Sequence, residues 1–146
     1  MPDDEFVAFF DRFVTDFTSF DGLTIATRYA TPYLAIEANG SCRVFSDVDA
    51  VASYFQSVLE QYAARGVRSC RYHSLEVVPI GIRSALATVT WEMLRGDGSV
   101  EATWRESYNM QRTATGLKVS VSTDHLPVRA DRYVSVRTRS RTGGCE

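Results

Sequence analysis

Residues 69–80, 84–94, 100–112 and 117–125 form four long runs rich in β-branched and aromatic side chains, separated only by short turns. Arg95-Gly96-Asp97-Gly98 and the stretch 113–116 carry strong turn chemistry. Connections this short cannot hold a crossover helix, so consecutive strands must run antiparallel as a meander. A meander of this length needs an apolar partner for one of its faces.

The first half of the chain supplies that partner. Phe6, Phe9, Phe10, Phe13 and Phe17 follow one face of a 3.6-residue period, with Asp3 or Asp4 available as a cap and Glu5 near the positive helix end. Five phenylalanines on one stripe are too much apolar surface to leave in water, so this helix is expected to lie on the sheet. Leu23, Ile25, Ala26 and Tyr29 suggest a short second helix, ended before Pro32. Residues 33–37 and 41–45 flank Asn39-Gly40 as a small hairpin. Ser46-Asp47-Val48-Asp49 resembles a capping box, and Val51, Tyr54, Phe55, Val58, Leu59 and Tyr62 then repeat at helical spacing up to Gly66.

A chain of 146 residues with 45% hydrophobic and 23% charged residues fits one globular domain. Net charge is −2, but from Pro127 onward Arg129, Arg132, Arg137, Arg139 and Arg141 face only Asp131 and Glu146, a net of +3. We therefore read residues 1–126 as the domain and 127–146 as an Arg-rich tail that adds little to folding. Cys42, Cys70 and Cys145 form no CxxC pair. No apolar run approaches a membrane span and no leader-like segment opens the chain, so a reduced cytoplasmic protein is expected.

The order helix, helix, hairpin, long helix and four long strands resembles the nuclear transport factor 2-like superfamily, with its SnoaL-like and ketosteroid-isomerase-like branches. Tyr29-x-x-Pro32, Asn39-Gly40 ahead of Ser46-Asp47, the run Ala85-Leu86-Ala87-Thr88-Val89, the Gly96-Asp97-Gly98 turn and the ending Asp124-His125 carry the resemblance across residues 4–125. It implies an α+β fold: a cone-shaped, curved antiparallel sheet packed against three helices. It also raises the expectation of a homodimer through the outer sheet face, where Thr88, Thr90, Thr103, Ser107 and Asn109 fall together. In the isomerase branch, the general-base position falls near Glu37 and the protonated-aspartate position near Tyr108. The tyrosine that branch carries on its first helix has no counterpart, since that helix offers Phe10, Phe13 and Phe17.

Alternation divides the last three strands into two faces. Ala85, Ala87, Val89, Trp91 and Met93 share one with Trp104, Glu106, Tyr108 and Met110, and with Leu117, Val119, Val121, Thr123 and His125. This apolar, aromatic face is expected to point into the cone, leaving Arg105, Asn109 and Asp124 outside. Glu106, His125 and Tyr108 are then the candidate catalytic residues. A carboxyl in an apolar site becomes a weaker acid suited to proton transfer, histidine titrates near neutrality, and a tyrosine can donate to a developing oxyanion. Trp91, Trp104, Phe13, Phe17, Tyr29 and Phe55 are the candidate ligand-binding residues. No cofactor is expected, and no metal: Cys70 and His73 fall on opposite strand faces with no second pair. The aromatics do not lie on an exposed basic sheet, which gives nucleic-acid binding little support. Three functions stay open: an acid–base enzyme for a small apolar oxygenated substrate, a non-catalytic binder of a small hydrophobic molecule, and a structural partner domain.

Overall fold

The computed structural model describes residues 2–126, with side chains from residue 4. The Arg-rich segment read as a tail lies outside the described residues. Helix α1 (Pro2–Phe17) starts at a proline, so Asp3 and Asp4 occupy its first turn and neither is its cap. Its five stripe phenylalanines are all at most 8% exposed. Each such side chain removed from water is worth about 1.5–3 kcal/mol, enough to fix the helix against the sheet.

Helix α2 (Gly22–Ala26) is capped by Asp21, whose carboxylate accepts from the Leu23 N–H. It ends sooner than expected. Tyr29 already opens strand β1 (Tyr29–Ile36), and Pro32 sits inside that strand. Strand β2 (Cys42–Phe45) pairs with β1 across the Asn39-Gly40 turn, where Gly40 has a φ of 90°. Asp47 caps α3 (Val48–Ala64) by accepting from the Ala50 N–H at 2.8 Å, and Gly66 follows with a φ of 87°.

The meander is β3 (Val67–Gly81), β4 (Ser84–Arg95), β5 (Val100–Thr113) and β6 (Gly116–Asp124). Sheet order is β2-β1-β6-β5-β4-β3. The expected all-antiparallel sheet is mixed, because β1 runs parallel to β6. Turn chemistry reports only pairs adjacent in sequence, and these two strands are joined through most of the chain.

Two register details decide which side chains face inward. In β4 and β5 the expected alternation holds, with Trp91 opposite Trp104, Val89 opposite Glu106 and Ala87 opposite Tyr108. In β6 it fails halfway. The β5–β6 register slips between Asn109 and Met110, which pair with Val121 and Val119 and leave Ser120 as an extra residue. A bulge of one residue reverses the alternation beyond it. Leu117 and Val119 face in as expected, but Ser122 and Asp124 replace Val121, Thr123 and His125 on the inner face.

Helices α2 and α3 touch backbone to backbone at Gly22. A Cβ there would lie 2.2 Å from the Ala52 carbonyl oxygen and 2.6 Å from the Gln56 nitrogen. Gly22→Ala should cost about 2–3 kcal/mol by forcing α2 off α3. Urea denaturation checks this, and an unchanged midpoint would refute the close approach.

Candidate active site

Inside the cone lies a partly open cavity of about 150 Å³. Strands β4 and β5 give it Trp91, Met93, Trp104, Glu106 and Tyr108, β6 gives Ser122 and Asp124, and β1 gives Tyr29, Tyr33 and Ala35. Phe13 and Phe17 of α1 close one side, and Tyr54, Phe55, Leu59 and Tyr62 of α3 close another. All six residues expected to bind a ligand line this space, as do Glu106 and Tyr108. His125 does not. Its Nε2 lies 2.8 Å from Ser107 Oγ on the outer face, where Thr88 Oγ1 is also 2.8 Å from Ser107. The bulge at Ser120 moved it there and put Asp124 into the cavity.

Glu106 and Asp124 are direct cross-strand partners, so their carboxyls meet on the inner face. The Trp104 indole N–H donates to Glu106 Oε1 at 2.9 Å. Burial and then the neighbouring Asp124 carboxyl push Glu106 up to about 8, against the Trp104 hydrogen bond, which favours the ionised form. Asp124 is only partly buried. Burial raises its pKa, and its hydrogen bond with Glu106 pulls it back. Two carboxyls this close cannot both ionise cheaply, so near neutrality the pair holds one proton. Of the two, Glu106 is the more strongly raised, because it is the more deeply enclosed.

Tyrosines surround the pair as neutral hydroxyls. Burial raises Tyr29, Tyr33 and Tyr108 well above the ordinary phenol range, and Tyr62 to about 12. Tyr108 accepts from the Trp91 indole N–H at 2.7 Å, and the Tyr33 hydroxyl lies 2.5 Å from Ser122 Oγ. Both phenols are therefore fixed in direction by protein partners. Glu37 reaches the cavity's edge, where Arg43 donates to its carboxylate at 2.8 Å. Cys70 also borders the space, but burial pushes its thiol up to about 12, so it stays protonated. Among the described residues no three His, Cys, Asp or Glu side chains gather as a metal site.

Sequence reading missed Tyr33, Tyr54, Tyr62, Ser122 and Asp124. Tyr54 and Tyr62 were legible as helix-face residues, and Tyr33 alternates with Ala35 and Glu37, which now proves to be the inward set. Nothing local marked Asp124, because only pairing with β5 reveals the bulge.

A curved sheet closed by three helices over an aromatic cavity that holds a carboxyl pair defines an α+β cone with an internal pocket. A family model described as NTF2-like protein (DUF6841) matches residues 4–127, and the chain belongs to that family. No curated protein matches the sequence. Solved structures share the fold at low identity. An NTF2-like protein with a cystatin-like fold from Novosphingobium aromaticivorans has a TM-score of 0.69 at 14% identity, over 88% of this chain and 84% of that one. An NTF-2 like protein of unknown function from Shewanella oneidensis scores 0.66 at 13%, over 86% of this chain and 100% of that one. A ketosteroid isomerase-like protein from Erwinia carotovora atroseptica scores 0.58 at 20%, over 82% and 93%. No described helix is long and apolar enough to cross a membrane.

Proposed function

We propose that the chain is an acid–base enzyme that moves a proton on a small, largely apolar, oxygenated substrate using its own side chains. The carrying observation is that Glu106 and Asp124 meet as direct cross-strand partners in an aromatic cavity, where burial raises both carboxyls. Protonated Glu106 donates to a substrate oxygen as negative charge develops there, and the Asp124 carboxylate takes a proton from an adjacent carbon. Tyr33 and Tyr108 contribute fixed phenol dipoles. The aromatic walls lower the local dielectric, which strengthens each of these interactions.

Cavity size narrows the substrate. An apolar cavity near 150 Å³ takes a single benzene ring, so one six-membered ring fills this one. A four-ring skeleton would have to extend well out through the opening. The resemblance to isomerases thus supports the reaction class without supporting their steroid substrates.

The test is exchange of α-hydrogens of cyclohexanone and 3-cyclohexen-1-one with D2O, followed by NMR. Wild-type protein should accelerate exchange, and Glu106→Gln and Asp124→Asn should each lower the rate by about 100-fold or more. His125→Ala, on the outer face, should leave it unchanged. If the ring compounds bind but wild-type protein exchanges nothing, the cavity is a non-catalytic binding site and the enzymatic reading fails.

A further inference from the structure

Beside the cavity a second depression of about 280 Å³ is lined by Arg43, Tyr54, Ser57, Val58, Gln61, Tyr62 and Arg65. Tyr54, Val58 and Tyr62 line both spaces, so the two adjoin. Residues 54, 57, 58, 61, 62 and 65 follow one helical face of α3 and its C-terminal end, while Arg43 comes from β2. The lining holds two cations, the hydroxyls of Tyr54, Ser57 and Tyr62, an amide and no acid.

Both arginines are placed rather than loosely solvated. The Arg43 guanidinium lies 5.0 Å from the Tyr54 ring centroid, and that of Arg65 lies 4.9 Å from the Tyr62 centroid. They keep donors to spare. Arg43 uses one nitrogen on Glu37, and the Arg65 ion pair with Glu101 is long, at 3.8 Å. Their side chains are 55% and 53% exposed. The same two tyrosines thus wall the inner cavity and each hold a guanidinium against their rings.

We propose that this vestibule is an anion subsite, so the substrate is a ring compound carrying a carboxylate on a short chain. The inference rests on the inner cavity being the ligand site. Charge sets the orientation. A carboxylate pushed inward would meet Glu106 and Asp124 and lose its hydration, whereas in the vestibule it meets two arginine forks with Ser57 and Gln61 beside them. The apolar ring enters, and the charged end stays at the rim. Guanidinium groups match a planar carboxylate in geometry as well as charge, which makes the vestibule selective as well as attractive.

The probes are 3-phenylpropanoate and its neutral analogue 3-phenylpropan-1-ol, titrated by tryptophan fluorescence or calorimetry. The acid should bind about tenfold more tightly at low salt. That advantage should shrink in 0.5 M salt and vanish in the Arg43→Gln/Arg65→Gln double variant. The alcohol should bind wild type and double variant equally, which also shows that the variant is folded. Equal affinity for acid and alcohol in wild-type protein would overturn the subsite while leaving the cavity and its proton chemistry standing. So would a double variant that kept the preference. If neither probe binds, the subsite and the cavity reading fall together.

Discussion

Glu106→Gln should make the protein more stable than wild type at pH 9, by on the order of 3 kcal/mol, while slowing its proton chemistry by about 100-fold or more. The folded chain holds the Glu106 proton up to a pH of about 8, whereas an ordinary glutamate releases it near 4.5. A group whose pKa is raised by folding contributes stability that is complete below the unfolded value and is lost as pH rises through the folded one. Wild-type stability should therefore decline between about pH 5 and pH 9 as the buried carboxyl is forced to ionise beside Asp124. Glutamine has the shape of the protonated acid, accepts the Trp104 indole N–H, donates its own N–H to Asp124, and never ionises. Its variant should escape this decline.

Thermal melts from pH 5 to pH 9 read the effect. Wild-type Tm should fall by roughly 10 °C more than that of the variant across this range. Parallel profiles would show that Glu106 is not held protonated by the fold, and the acid half of the proposed mechanism would go with it. Asp124→Asn supplies the complementary control. Removing the neighbouring negative charge should lower the Glu106 pKa and reduce the wild-type decline without removing it, since burial remains its first cause.

How far the sequence revealed this pair depended on the range of the interactions involved. The phenylalanine stripe of α1 was legible because five bulky side chains at helical spacing have one economical solution, a shared buried face. The inward set of β4 and β5 was legible because alternation is local and the outward set, with Arg105 and Asn109, is costly to bury. Glu106, Trp104 and Tyr108 followed from that alone. Asp124 and His125 did not, for they lie beyond Ser120, where one extra residue reverses the strand. The sequence around Ser120 has neither glycine nor proline to announce the break, and continued alternation put Val121 inside at the expense of Ser122. The side chain of Ser120 itself is buried, and its hydroxyl has no hydrogen-bond partner among the described residues. The parallel pairing of β1 with β6 was hidden for a related reason. It joins segments that no short turn connects, and Tyr29 reads equally well as the last residue of a helix or the first of a strand.

Trp91→Ala should be the most damaging single truncation in the cone, at about 3–5 kcal/mol. Trp91 is the largest of the fully buried side chains. Its ring lies 5.4 Å from that of Phe13 and 6.0 Å from those of Phe10 and Tyr72, so it joins α1 to the sheet. Its indole N–H also donates to the Tyr108 hydroxyl, which would lose a buried partner. Trp104 is different. It is only partly buried, lies parallel to Tyr62 at 6.3 Å and holds Glu106, so its loss should cost less stability and more binding. Because Trp91 borders the cavity, its removal should leave a larger void opening onto the same space. An aromatic compound of indole size added to Trp91→Ala should fill that void and raise its Tm by mass action, with little effect on wild type. Melts of both proteins with and without indole provide the measurement. A Trp91→Ala protein that melts within a few degrees of wild type would mean that the indole does not join helix to sheet. One that is destabilised yet unmoved by indole would mean that the neighbouring phenylalanines collapse into the gap.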